Sequence, residues 1–285
     1  MSEKCFSRMG QVGIAVKDIA KATEVCKKHG MGPMRTFISD AKSVQKGELY
    51  GKPVDSIRFG TLMYEMDGVT FELLQPLENT VWSDFIENQG EGVCDIMLTP
   101  TPRYYEVLEE RGIKEVMKFT LYNHKFSEDD IFEQVMRMHD TREDLGFNIL
   151  TWDQTEEAKK RKYPEDQMAT GAYIQLEDGT EPHLQTPKYV RMERILVVVE
   201  NLEQTIENYK AYGFGPFTEV KDYGKYKSAE FAQNTDGKDI IFEIIQPLDM
   251  ECAYGKYLAK YGRGVYNIIF EQNPEFNNVI GTLFE

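Results

Sequence analysis

The side chains best able to do chemistry in this chain are four histidines, four cysteines and the carboxylates that fall in apolar surroundings. Cys5, Cys26, Cys94 and Cys252 form no CxxC pair and keep no regular spacing, so they read as reduced, mostly buried thiols. His29 stands beside Gly30 at the end of an expected helix, where an imidazolium complements the helix dipole. His124 and His139 lie in a charged stretch with nothing at metal or triad spacing around them, which makes them surface groups. His183 falls in EPHLQTP, a short segment of strand character. No GxSxG elbow, phosphate-binding loop or Gly-rich dinucleotide turn occurs, so neither nucleophilic serine chemistry nor a nucleotide cofactor is expected. Glu72 differs from all of these. It sits within FELLQPL, an otherwise apolar run, and strand alternation points it into an interior.

That run belongs to a duplication. GQVGIAVKDIAKATEVCKKHGMGPM (10–34) returns as ERILVVVENLEQTIENYKAYGFGPF (193–217), and FELLQPLENTVWSDFIENQGEGVCDIML (71–98) returns as FEIIQPLDMECAYGKYLAKYGRGVYNIIF (242–270). Order and separation are both kept, and a repeat of this kind fixes the architecture before any local assignment. Each copy opens with an apolar strand, Val12–Val16 or Ile195–Val199, followed by an Asp- or Asn-containing turn and an amphipathic helix. Gly30 and Gly213 stand where a C-cap glycine is expected. Extended segments follow at Ser56–Met63 and Thr70–Leu74, with counterparts at Tyr226–Gln233 and Ile240–Ile245, giving βαβββ each time.

A second, weaker unit then begins in each copy. A short helix ends at Gly90 or Gly262, a fresh strand starts at Val93 or Val265, and a helix follows at Tyr104–Arg111 or Pro274–Phe284. In the first copy the remaining strands are expected at Ile113–Leu121, Gly171–Glu177 and Thr180–Thr186, with 122–168 a charged, largely helical insertion that carries one strand-like run at Phe147–Trp152. The expected class is therefore α+β, in tandem paired βαβββ modules. A first lobe (1–188) holds two modules and the insertion. A second lobe (189–285) holds one full module and a truncated one.

Composition bounds the function. The net charge of −15 argues against nucleic acid or an anionic membrane surface as partner, since either requires a basic patch. No apolar run approaches the roughly 18 residues of a membrane span, and MSEKCFSRMG lacks a signal-peptide core. A cytoplasmic, acidic globular protein is the expectation.

Paired βαβββ modules, the opening GIAVKD, and FELLQPL followed by a helix and GEGV together resemble the vicinal oxygen chelate superfamily of glyoxalases, bleomycin-resistance proteins and dioxygenases; the stretch FELLQPL to GEGV most resembles methylmalonyl-CoA epimerases. That resemblance implies open barrels whose metal is held from the first and last strands of each module. By position it assigns Gln11, Glu72, Asp95 and His183 as ligands, with Gln11 and Asp95 standing where the family usually carries histidine. Such a set suits one divalent ion such as Mn²⁺, Zn²⁺, Mg²⁺ or Fe²⁺. Loss of two histidines equally fits a scaffold that works without metal. In the second lobe the equivalents are Arg194, Glu243 and Asn267, and a guanidinium is no metal ligand. Arg194 then either pairs with Glu243 or binds the carboxylate or phosphate of a substrate.

The implied activity is that of an isomerase or epimerase acting on a small carbonyl or acyl substrate. It would abstract a proton beside the carbonyl and stabilise the enolate. With metal, the four residues hold the electrophile; without it, Glu72 or Asp95 acts as acid or base with a raised pKa while His183 polarises the oxygen. A lyase or oxygenase, or a non-enzymatic binder of small molecules, are the rivals. The open edge of the truncated module would be covered by 122–168 or by a second subunit in a homodimer.

Overall fold

A computed structural model describes residues 3–28, 35–39, 44–124, 131–154, 175–176 and 191–271. The repeat appears as two curled sheets. The first module runs β1 (Phe6–Ala15), α1 (Ile19–Lys28), β2 (Arg35–Ile38), the short hairpin β3 (Val44–Leu49) and β4 (Lys52–Pro53), then β5 (Phe59–Met66) and β6 (Val69–Pro76). Helix α2 (Val81–Gln89) leads into the second module: β7 (Gly92–Pro100), α3 (Pro102–Arg111), β8 (Glu115–His124), β9 (Ile131–His139), α4 (Arg142–Leu145) and β10 (Asn148–Gln154). A two-residue strand, β11 (Gln175–Leu176), pairs with β2. The second lobe comprises β12 (Met192–Val198), α5 (Leu202–Ala211), β13 (Lys221–Asp222), β14 (Tyr226–Gln233), β15 (Ile240–Pro247), α6 (Ala253–Tyr261) and β16 (Gly264–Phe270).

The eleven-stranded sheet has the order β11-β2-β5-β6-β1-β7-β10-β9-β8-β3-β4. Within it, β1 lies parallel to β6, and β7 lies parallel to β10. Each module thus closes its last strand against its first, and the two modules join where β1 and β7 run antiparallel. Ile38 and Val44 are only six residues apart yet belong to strands near opposite ends of this order, so the chain can separate those ends by no more than about 20 Å. The sheet must curl into an almost closed barrel. Its interior is apolar, with Phe59, Trp82, Phe119, Leu74, Leu150 and Met138 among the residues of one core cluster.

This arrangement corrects the expected second module. The described part of 122–168 is mostly extended, not helical: β9 and β10 are its third and fourth strands. Phe147-Asn148-Ile149-Leu150 occupies the place that Phe71-Glu72-Leu73-Leu74 holds in the first module, and Asn148 pairs with Asp95 as Glu72 pairs with Gly13. Thr180–Thr186 and His183 lie outside the described residues, as do His29 and Gly30.

The second lobe repeats the first module with the order β13-β14-β15-β12-β16, β12 lying parallel to β15. The largest core cluster unites both lobes, and ring contacts between Phe71 and Phe270, Phe147 and Phe242, and Phe6 and Phe214 cross between the lobes. Around this seam Tyr209 donates its hydroxyl to the Leu145 carbonyl at 2.6 Å, and Arg111 pairs with Asp144 at 2.6 Å.

Candidate functional site

Strand β1 presents Gln11, Gly13 and Ala15 to the barrel and turns Val12 and Ile14 to the opposite, inter-lobe core, because successive side chains alternate. Gly13 is the centre of the site. Its register partner on β6 is Glu72, and its register partner on β7 is Asp95. Two carboxylates therefore flank one glycine on a single face, with strand spacings that put their α-carbons about 10 Å apart. A Cβ at Gly13 would fall within 2.7 Å of the Asp95 carboxyl carbon, so the absent side chain is what lets Asp95 lean toward β1.

Each carboxylate has its own environment. Glu72, nearly fully buried, accepts the Gln11 side-chain amide and, at 2.8 Å, the Thr61 hydroxyl. Gln11 was expected as a ligand beside Glu72, and the two are indeed in contact, but as donor and acceptor. Asp95 is completely buried and accepts from the Trp82 indole at 3.1 Å and the Cys94 thiol at 3.0 Å. Burial pushes its carboxyl up to about 6, against the pull of those two donors, and burial, with the neighbouring Asp95 carboxylate, drives the Cys94 thiol far above its ordinary range. Among the described residues, the other carboxylate oxygen of Asp95 and the amide oxygen of Asn148, both buried, have no hydrogen-bond partner.

Helix α2 holds Trp82 in place. Thr80 caps its first turn, with Ser83 returning a hydrogen bond to the cap, and the helix packs Val81, Trp82 and Phe85 over one end of the barrel. A bulge at Cys94 explains why that thiol and Asp95 both reach the same side: the β1–β7 register advances by an extra residue between Asp95 and Val93.

The donor chemistry bears on the implied metal. Gln11, Glu72, Asp95 and Asn148 form an oxygen-rich set, but donors from Gln11, Thr61, Trp82 and Cys94 occupy both Glu72 oxygens and one Asp95 oxygen, leaving only the other Asp95 oxygen and the Asn148 amide oxygen open to a cation. Among the described residues no three His, Cys, Asp or Glu side chains gather as a metal cluster. As arranged, the residues do not fit a bound ion, and no chemical step is derived through one. The fourth-strand position expected of His183 belongs to Asn148.

The second lobe repeats the skeleton with different groups. Ser228 donates to Glu243 at 2.8 Å, as Thr61 donates to Glu72, and Arg194 replaces Gln11. Arg194 pairs with Glu243 at 3.4 Å, as the sequence suggested, and also with Glu230 at 2.8 Å. Both guanidinium contacts are to carboxylates, which argues against Arg194 as the receiver of an anionic substrate. Leu196 takes the place of Gly13, between Glu243 and Asn267 in register.

The neighbouring aromatic and imidazole side chains pack against one another. His139 is buried, not on the surface, and its Nδ1 meets the Tyr104 hydroxyl at 3.0 Å; Tyr104 is core. Trp152 is partly buried against the barrel cluster and contacts Phe119 edge-on. Gly13, Trp82, Thr61 and Asn148 are the site residues that sequence reasoning missed. Laying FNILTW beside FELLQP and FEIIQP would have revealed Asn148.

No family model matches the sequence, and no curated protein does. Among solved structures, a variant of 4-hydroxymandelate synthase from Streptomyces coelicolor is similar with a TM-score of 0.54 and 15% identity, over 98% of this chain and 75% of that one. Methylmalonyl-CoA epimerase from Mycobacterium tuberculosis is similar over 56% of this chain and 97% of that one, with 17% identity and a TM-score of 0.37. The likeness is one of fold: the chain has the vicinal oxygen chelate fold that its repeats imply. Among the described residues no helix is long and apolar enough to cross a membrane.

Proposed function

We propose that the first lobe is an acid–base enzyme of the isomerase or epimerase class, moving a proton at a carbon beside a carbonyl. The observation that supports this is the pair Glu72 and Asp95, set on either side of Gly13 in unlike surroundings. Two carboxyl groups in unlike environments can divide the roles of base and acid. Glu72, held by the Gln11 amide and the Thr61 hydroxyl, takes the proton from the C–H bond. The electron pair moves to the carbonyl oxygen, and Asp95, raised to about 6 and so half-protonated near pH 6, supplies the proton that this oxygen receives. Return of a proton to carbon completes the exchange with no net oxidation. The rings of Phe59, Phe119 and Trp152 give the barrel an apolar lining suited to an acyl or aryl body.

The test is solvent-deuterium exchange. The protein is incubated in D₂O with a panel of acyl thioesters and 2-oxo acids, and wash-in at the carbon beside the carbonyl is followed by proton NMR. Exchange with at least one substrate is expected, falling by about 100-fold or more in Glu72→Gln and in Asp95→Asn. No exchange, with retained affinity for the same compounds in both variants, would make the lobe a binding protein. Exchange that requires added Mn²⁺ or Mg²⁺ and stops with chelator would transfer Gln11, Glu72, Asp95 and Asn148 to the role of cation ligands.

A further inference from the structure

The concave face of the second lobe carries a second set of chemistry-bearing groups. Alternation sends Ile195 and Val197 into the inter-lobe core and leaves Arg194, Leu196 and Val198 on the other face. There Tyr226, Tyr254, Tyr257 and Tyr266 adjoin, with ring centroids 4.9 Å apart for Tyr226 and Tyr254, 5.0 Å for Tyr254 and Tyr266, and 5.3 Å for Tyr257 and Tyr266. All four are only partly buried, unlike Phe59, Trp82 and Phe85, which hold the first three places in the first lobe.

Among the described residues, the charge around Arg194 does not balance; Arg142, the other guanidinium, acts on Tyr257. Arg194 contributes one positive charge; Glu230 and Glu243 contribute two negative ones, both turned toward it. Glu230 stands where the first lobe has Met63, so the excess carboxylate is particular to this half. Lys227, the nearest lysine in sequence, alternates away and pairs with Glu203 on α5, and Lys256 on α6 pairs with Glu251. The patch extends through Tyr223, stacked on Tyr226 at 4.8 Å, to exposed Leu248 and Met250. Aromatic faces beside a net negative charge attract a cation with an apolar body, and they do so better than either feature alone.

We infer that the concave face of the second lobe binds a small organic cation, an aryl or alkyl ammonium, with its charge toward Glu230 and Glu243 and its apolar part against Tyr226, Tyr254 and Tyr266. This does not depend on catalysis in the first lobe. The probe is benzyltrimethylammonium, titrated by calorimetry into the full-length protein, with benzyl alcohol and phenylacetate as neutral and anionic counterparts. The ammonium should bind at least tenfold more tightly than benzyl alcohol, and phenylacetate more weakly still. Glu230→Gln, which removes the excess charge at a partly exposed position, should weaken the ammonium about tenfold. Tyr254→Leu should weaken it at least fivefold, with circular dichroism checking that each variant is folded. Equal or tighter binding of phenylacetate, no binding of the ammonium, or unchanged affinity in Glu230→Gln would each overturn the inference.

Discussion

The two lobes build the same half-barrel from the same positions and put it to different physical use. In both, a strand hydroxyl donates to a glutamate on the fourth strand, and a residue of the first strand meets that glutamate from the other side. In the first lobe the strand neighbour between the two acidic positions is Gly13, and the space it leaves is taken by Asp95. In the second lobe that neighbour is Leu196, Asn267 stands in the place of Asp95, and the first-strand residue is Arg194. The second module seals the first site, so Glu72 is 4% and Asp95 0% exposed. In the second lobe the Arg194 side chain stays 32% exposed and its partner Glu243 14%. Burial raises the Asp95 carboxyl, whereas Arg194 and Glu243 form a partly exposed ion pair. One backbone plan thus gives a buried carboxylate pair in one lobe and a charged aromatic face in the other.

The largest expected effect concerns the cost of burying Asp95. Its folded carboxyl is raised from 3.8 to about 6 by burial, so the folded state holds the proton more tightly than the unfolded chain. The stabilisation from the protonated group is complete below pH about 4 and is lost as pH rises through about 6, amounting to roughly 3 kcal/mol. Asp95→Asn cannot titrate. Its unfolding free energy relative to the natural protein should therefore rise by roughly 3 kcal/mol between pH 4 and pH 8, read from urea denaturation at each pH. A difference that stays flat across that range would break the contrast between a buried acid and a solvated pair.

A smaller effect is expected from making the first lobe resemble the second. Gly13→Leu copies the residue found at Leu196, and its side chain must displace the Asp95 carboxyl. Overpacking of this kind costs about 1–3 kcal/mol and should separate Asp95 from the Trp82 indole. Thermal unfolding should show the loss, and the indole N–H resonance of Trp82 should move. Unchanged stability together with an unmoved indole resonance would mean that Gly13 is not what admits Asp95.

Much of this plan is legible in the residues, and the illegible parts have physical causes. The duplicated strands and helices announce themselves because apolar alternation and Gly stops recur in register, and Gln11, Glu72 and Asp95 fall on the expected barrel face. The last strand of the second module escapes because Asn148 interrupts the FELL pattern and charged residues surround it, which gives 122–168 the look of a helical insertion. Gly13 reads as a weak strand residue until register shows that both carboxylates flank it. Trp82 reads as helix packing until the capped helix is seen to aim its indole at Asp95.

The most direct test of the first-lobe site is a titration of Asp95 itself. Carbon-13 NMR of the protein labelled at aspartate carboxyls, with the Asp95 signal assigned by its loss in Asp95→Asn, reports the proton without any substrate. A midpoint of about 6 is expected, moving further up in Trp82→Phe because the indole hydrogen bond stabilises the carboxylate. A midpoint in the ordinary aspartate range near about 4, unmoved by Trp82→Phe, would contradict the assignment of Asp95 as the buried acid.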